Sequence, residues 1–552
     1  MSTGTLANTT TTDEAARSGY PRRQTVLRWG SVFALFVVAI GMRLYDLGLP
    51  FDRDGYDEGV YWQSLLAMRA GHSLYQQIFY SQPPLFLLSL FPGYVLFGST
   101  LWSARFGIAL VSLFGLLGAA LLGKALSGRL GAVLCLLLLV VNPYFLLESQ
   151  TIQAESSSIG FSILAVGLAY LWWEQPEGVL GLCWAALAGI ALALSILCKL
   201  WGVVSLVPVA LLMLARLWQI WQKQPGTSLA SLRPILFGIA TCVMTLLLVF
   251  VPFLSSYQAV LQEVVGYHVQ SAYVFSRVGN SSMIRSVLIS VLGVTALYGT
   301  LVALLRRDWR VVPLLAWLLA TAFFLWRLAP LLPHHLVALT TPLIALAVIG
   351  IGVGPTSPRG REGIETRSAS SAEGPYAALK ALTVISLRSW LLPTPGRDKS
   401  DPYAPFAKWA TLVAILLILV TTVFSVVQDA SYYNTMSMNS VNASNQLQRR
   451  IAADLRQAII PDQLVVTDAQ FIAALADRST PPALVDTSTV RINDGSLTLQ
   501  QLIDETSQPR VHAVLFFTLR FYLPNVAGFH AWVAQHFHLL HTYRPREELW
   551  VR

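Results

Sequence analysis

The stretch DRDGYDEGVYW, residues 52–62, sets four carboxylates and three aromatic rings side by side. Adjacent carboxylates such as Asp57 and Glu58 can take a proton from a reacting hydroxyl as a general base. They can also be no more than a solvated acidic loop. In a chain that is 55% hydrophobic and only 12% charged, the choice turns on which side of a membrane the loop occupies.

The elements that must position these acids are helices in lipid. A bilayer crossing needs about 20 mainly apolar residues, and such runs recur near 26–45, 103–123, 131–147, 157–173, 179–198, 200–218, 234–254, 286–305, 311–329, 334–353 and 406–427. The mean hydropathy is +0.57. Backbone polar groups cannot go unpaired in hydrocarbon, so eleven such runs imply a polytopic α-helical bundle. The first run follows Arg17, Arg22, Arg23 and Arg28 and lacks a small-residue cleavage site, so it reads as a retained anchor.

Lysine and arginine set the orientation. With the N-terminus in the cytoplasm, the cytoplasmic segments carry 20 Lys and Arg against 8 on the other side. The acidic stretch then faces outward from a multi-pass protein of the cell membrane. So does the C-terminal region, which holds 10 further Arg and is too long for the rule to count. The net charge of +9 is mostly this bias. It is not interleaved with stacking aromatics, so a nucleic-acid partner is not expected. Cys135, Cys183, Cys198 and Cys242 all fall inside predicted spans, which leaves the exported part without a disulfide staple and the chain without metal-type cysteine spacing.

Residues 1–25 are expected to be a disordered cytoplasmic N-terminus, and 46–102 a long first outer loop. Within that loop, Glu58–Gly71 has the three-to-four spacing of an amphipathic helix, and 82–98, broken by three prolines, suits a helix lying in the interface. Residues 354–405 form a basic cytoplasmic loop in which 375–393 reads as a helix on the leaflet; a twelfth span there would return the C-terminus to the cytoplasm. After the last span, residues 428–552 change character. QLVVTDA, PALVDTS, HAVLFFT and HLLHTY read as strands, and 498–506 and 525–537 as helices, which predicts a small extracytoplasmic α/β domain. No glycine-rich phosphate loop follows any of these strands.

The segment from Gly55 to Gly107 now reads as one ordered set: an Asp-Glu pair, an amphipathic helix, Gly71 and Tyr75, QPPL, LFG, then Arg105 opening the second span. This set resembles the GT-C superfamily of membrane glycosyltransferases. The nearest branches are the protein O-mannosyltransferases, the aminoarabinose transferases of lipid A and the bacterial glycosyltransferase family 39-like proteins. The resemblance covers roughly residues 26–353, the catalytic transmembrane module. It implies an inverting transferase that moves a hexosyl or pentosyl unit from a polyprenyl-phosphate donor to a hydroxyl acceptor on the outer face, the acceptor being a glycolipid, polysaccharide or protein.

In that family the aspartate of the pair is the catalytic base, which falls on Asp57. Glu58 reads as orienting Asp57 or its loop, or as a helix N-terminal carboxylate favoured by the dipole. A carboxylate in this role contributes on the order of 10²–10⁴-fold. The departing phosphate is already ionised, so no general acid is needed, unlike the two-carboxylate hydrolases. Tyr56 and Asp54 flank the base as candidate substrate contacts, with Arg105 as a third, although Asp52 and Asp54 are equally readable as solvated. Glu155, in ESQTIQAESSS, stands at the start of the fourth span where the family often has Asp; helix capping competes for that segment. Lys199, in ILCKLWG, matches a family lysine suited to the leaving phosphate, and a lysine between two apolar runs needs a partner or must snorkel. Arg277 is a second candidate cation, and His334 and His335 sit at the mouth of the tenth span. Gln82 stands where some relatives have a lysine, which puts a charge contact to phosphate there in doubt. A divalent cation, Mg or Mn, is left open, with Asp57 and Glu155 as its ligands. A transporter or flippase of lipid-linked sugars and a non-catalytic subunit are the competing classes. Transporters place ionisable groups near the midplane on broken helices, whereas these acids cluster in outer loops.

Overall fold

The computed structural model describes residues 20–48, 56–222, 232–352, 404–439 and 443–552. The basic segment 375–393, the N-terminal tail to residue 19, and Asp52 and Asp54 lie outside the described residues. Helices α1 (Tyr20–Leu44), α2 (Asp57–Arg69), α3 (Leu85–Leu96), α4 (Leu101–Val140), α5 (Pro143–Glu148), α6 (Ala154–Glu174), α7 (Gly178–Cys198), α8 (Leu206–Trp221) and α9 (Leu232–Phe250) follow in order. Among the described residues, six helices are long and apolar enough to cross a membrane, and a pair bent by 65°, Asn280–Leu288 with Val291–Leu305, makes a seventh. The remaining predicted spans fall on the two halves of α4 and on the shorter apolar helices Gly30–Leu44, Val311–Arg327 and Pro333–Ile349. The bundle is a helical membrane protein, as its hydropathy requires.

Helix α4 is a hairpin rather than one rod. Ser127 (φ −144°, ψ 25°) and Gly128 (φ 66°, ψ −150°) leave helical geometry, and the chain doubles back so closely that a Cβ on Gly131 would stand 2.2 Å from the Gly123 carbonyl oxygen. The predicted span 131–147 ends early, at Val140. Pro143 cannot donate a helical hydrogen bond, and Asn142 caps a separate short helix by accepting the Phe145 N–H at 3.0 Å. Helix α6 is buried along its whole membrane-length window and forms the centre of the bundle. Its first turn carries Glu155. Helix α3 buries Phe86, Leu87, Leu90 and Tyr94 and leaves Leu96 exposed. The last span runs on well past the predicted 427, within a helix covering Ala404–Asn439.

The C-terminal region is an α/β domain on a four-stranded sheet of order β1-β2-β4-β3. Strands β1 (Leu464–Thr467) and β2 (Val511–Phe516) are parallel, while β3 (His538–Arg544) and β4 (Glu547–Val551) form an antiparallel hairpin whose β4 pairs with β2. Side chains alternate between two faces. Ile451, Leu455, Val465, Ile472 and Leu515 pack on one, and Val466, Val514, Phe516, Phe529 and Val533 on the other. One predicted strand is absent. PALVDTS forms a 3-10 turn at Pro482–Leu484 and then a loop, because neither Pro481 nor Pro482 can donate to a ladder. Its place in the sheet is taken by β4, whose Glu547-Glu548 start hides the strand pattern.

Helix α2 corrects the amphipathic reading. Every residue from Glu58 to Ala67 is buried, because the C-terminal domain covers the face that was expected to meet water. The side chain of Gln63 donates to the Arg478 carbonyl at 2.8 Å and accepts the Thr480 N–H at 3.2 Å. Trp62 meets Phe471 edge to face at 5.7 Å. Gly59 permits this approach, since a Cβ there would lie 2.3 Å from the Phe471 nitrogen. Gly59→Val is therefore expected to cost at least the about 1–3 kcal/mol of an overpacked contact. Limited proteolysis should show the domain released more readily than in the parent protein.

Candidate active site

Asp57 and Glu58 occupy the first turn of α2, where the helix dipole favours negative charge. Glu58 is 1% exposed and faces Arg105 of α4, which is fully buried. The pair is bidentate, with Arg105 Nε to Oε1 and Nη2 to Oε2 both at 2.7 Å. The Ile152 N–H adds a third donor to Oε1 at 3.0 Å, and Arg105 Nη1 reaches the Leu47 carbonyl at 3.2 Å. Both oxygens of Glu58 are thus committed. Charges withdrawn from water this far are tolerated only when paired and hydrogen-bonded, and here the pair ties α2, α4 and the segment before α6 together. Arg105, expected to meet substrate, is spent on Glu58. Asp57, its neighbour in the pair, is half-buried.

One turn on, Tyr61 is buried against Phe86 at 5.0 Å. Burial pushes its phenol up, and the Asp57 and Glu155 carboxylates push it further in the same direction. This hydroxyl lies in the field of both acidic segments, α2 and the start of α6.

Glu155 is fully buried and pairs with Lys199, which caps the end of α7 in extended conformation. His334 Nε2 and His335 Nε2 approach the same Oε1 at 3.4 and 3.8 Å. The Lys199 ammonium also stands 4.2 Å from the Trp201 ring centroid, and Trp201 meets His335 edge to face at 4.5 Å. A cation–π contact of this kind strengthens when desolvated. Lys199 therefore has two partners and does not need to snorkel. Trp201 also lines a small pocket together with Ser158, Ser162, Ser205, Trp317 and Thr341, among others.

Ligand-type atoms of Glu155, His334 and His335 lie within 4.8 Å of one another, a grouping that does not include Asp57. Glu155 Oε2, buried and without a hydrogen-bond partner, could serve a metal ion, and His335 is the weakest donor of the three. His335 Nδ1 accepts the Leu332 N–H at 3.1 Å, so in the neutral ring the proton sits on Nε2, the nitrogen that faces Glu155. A protonated nitrogen has no lone pair to give. The Glu155 oxygen it faces is already held by an ammonium.

The other expected residues are dispersed. Tyr56 turns its hydroxyl to Asp486 of the C-terminal domain at 2.9 Å. Gln82 is buried, with its carbonyl accepting the Tyr75 hydroxyl at 2.7 Å. Arg277 is exposed and donates to the Arg327 carbonyl at 3.1 Å, so it does not join the Lys199 cluster. Sequence reading missed Tyr61, Trp201, Asp486 and Arg520. Trp201 carried a usable signal, an aromatic two residues from a lysine between apolar runs. Asp486 carried none, being 430 residues from its partner.

A family model described as dolichyl-phosphate-mannose-protein mannosyltransferase matches residues 71–262. That range contains Glu155 and Lys199 and begins beyond Asp57. The structure is similar to ArnT from Cupriavidus metallidurans bound to undecaprenyl phosphate, with 17% identity, TM-score 0.57, and 95% of this chain and 98% of that one covered. It is likewise similar to the apo state of ArnT, at 15% identity, TM-score 0.55, and coverage of 94% and 97%. None of the curated proteins matches. These likenesses are ones of fold: nearly the whole chain follows the course of those structures.

Breaking the Glu58–Arg105 pair leaves an unpaired buried charge. Arg105→Met should cost about 3–5 kcal/mol. The double variant Glu58→Leu/Arg105→Met should regain part of that loss, read as melting temperature in detergent.

Proposed function

We propose that this protein is an inverting glycosyltransferase that moves a sugar from a polyprenyl-phosphate donor to a hydroxyl acceptor at the outer surface of the membrane. The buried cluster of Glu155 with Lys199, His334 and His335, in a fold that also sets Asp57 on the first turn of α2, carries this reading. Asp57 takes the acceptor proton as the acceptor oxygen attacks the anomeric carbon. The bond from that carbon to phosphate oxygen breaks, and polyprenyl phosphate leaves as an anion. A single displacement of this kind inverts the anomeric centre.

Lys199 supplies positive charge for the leaving phosphate, in a site dry enough for that charge to count. Glu155 holds the ammonium in place. The ligand named for the similar ArnT structure, undecaprenyl phosphate, is of this donor class. Glu58, locked to Arg105, fixes the helix start and takes no proton.

Two features support the outer side as the place of reaction. The C-terminal domain is seated on α2, so it shares a side with Asp57, and the 20-to-8 excess of Lys and Arg points the opposite loops to the cytoplasm. Alkaline phosphatase fused after Arg552 should be active, whereas fluorescence from a cytoplasm-only reporter there would reverse the assignment.

The decisive variant is Asp57→Asn. It is expected to lose transfer by about 10²–10⁴-fold, the usual share of a positioned base, while undecaprenyl phosphate still binds. Mass spectrometry of membrane glycolipids and glycoproteins reads the product, and near-normal turnover would remove Asp57 from the mechanism.

A further inference from the structure

Asp57 stands between two anchored neighbours. Glu58 is fixed within the membrane bundle by Arg105. Tyr56 is fixed from the other side, by the C-terminal domain. Its hydroxyl donates to Asp486 Oδ1 at 2.9 Å and approaches Thr487 Oγ1 at 3.4 Å. The Arg520 guanidinium lies over its ring, 3.6 Å from the centroid. The Tyr56 carbonyl in turn accepts the first helical hydrogen bond of α2, from the Val60 N–H at 3.0 Å.

Both jaws of this grip are braced. Asp486 Oδ1 also accepts the Ser488 N–H at 2.8 Å, and the Arg491 side chain donates to the backbone of Ala483 and Asp486. The Arg520 loop is held by Asp468, whose buried carboxylate accepts the N–H groups of Phe517 at 2.8 Å, Thr518 at 3.1 Å and Arg520 at 3.0 Å. Between them Leu519 is forced to φ 66°, a region that side chains with a Cβ rarely adopt. Strain of this kind persists only where the surroundings over-determine it, and here it aims Arg520 at Tyr56.

We propose that the C-terminal domain is a working part of the transfer reaction: through Asp486 and Arg520 it clamps Tyr56 and so holds the base Asp57 at its attack position. Tyr56, Asp486 and Arg520 are positioning residues. The inference rests on Asp57 being the base. A helix start frays unless its groups are tied down, and a misplacement on the order of 1 Å at a reacting group can cost 10²-fold. The domain therefore contributes to the chemistry without touching the sugar.

Three full-length variants test this. Tyr56→Phe keeps the ring under Arg520 and loses the hydroxyl. Asp486→Ala removes the acceptor, and Asp486→Asn restores one of the same shape. Hydrogen–deuterium exchange of the peptide containing Val60 should rise about ten-fold in Tyr56→Phe and Asp486→Ala, the equilibrium weight of one hydrogen bond, and return in Asp486→Asn. Transfer kcat should fall on the order of 10- to 100-fold in the first two, with undecaprenyl phosphate affinity and melting temperature unchanged. Unaltered exchange at Val60 would overturn the clamp. Loss of undecaprenyl phosphate binding and melting temperature together with kcat would also overturn it, in favour of a purely structural contact. If Asp57→Asn turned over normally while Val60 exchange still rose, the base assignment would fall and the grip on Tyr56 would stand.

Discussion

Charge buried away from water has to be paired, and the active end of this protein is organised by that requirement. Glu58 meets Arg105 with two hydrogen bonds at 2.7 Å. Glu155 meets Lys199, and Lys199 meets the face of Trp201. Each pair joins segments distant in sequence, so satisfying the charges also fixes the geometry of α2, α4, α6 and α7. Asp57 differs from these acids in being only partly buried.

Much of this was legible in the chain. Hydropathy alone locates the helices, because lipid leaves no other solution for the backbone. The Asp57-Glu58 pair, Glu155 and Lys199 are visible because polar residues at the edge of long apolar runs are costly and rarely accidental. The histidine pair is placed in the same way. Arg105 is visible as a residue but not in its role, since nothing in its neighbourhood along the chain tells that Glu58 will claim it. Arg277 fails for the opposite reason: it has the right type and loop, but its guanidinium bonds to the Arg327 carbonyl, away from the cluster.

What stayed hidden is long-range. The α2 segment has the periodicity of a helix with one wet face, and only the arrival of Phe471, Arg478 and Thr480 closes that face. The hairpin inside α4 depends on Gly123 and Gly131 meeting backbone to backbone, which periodicity cannot report. In the domain, two adjacent prolines turned an expected strand into a loop, and that loop carries Asp486, the residue that reaches Tyr56. The misread element and the missed residue are thus one event.

The close fit of Gly59 to Phe471 also sets an order of assembly. The ribosome makes α2 early and its cover about 400 residues later, a delay on the order of 20–80 s at ordinary elongation rates. During that interval Trp62 and the Gly59 face wait uncovered while most of the bundle is inserted. The α2 segment is therefore made well before it can be finished, and a chain that stops short of the sheet would carry Asp57 without its seat.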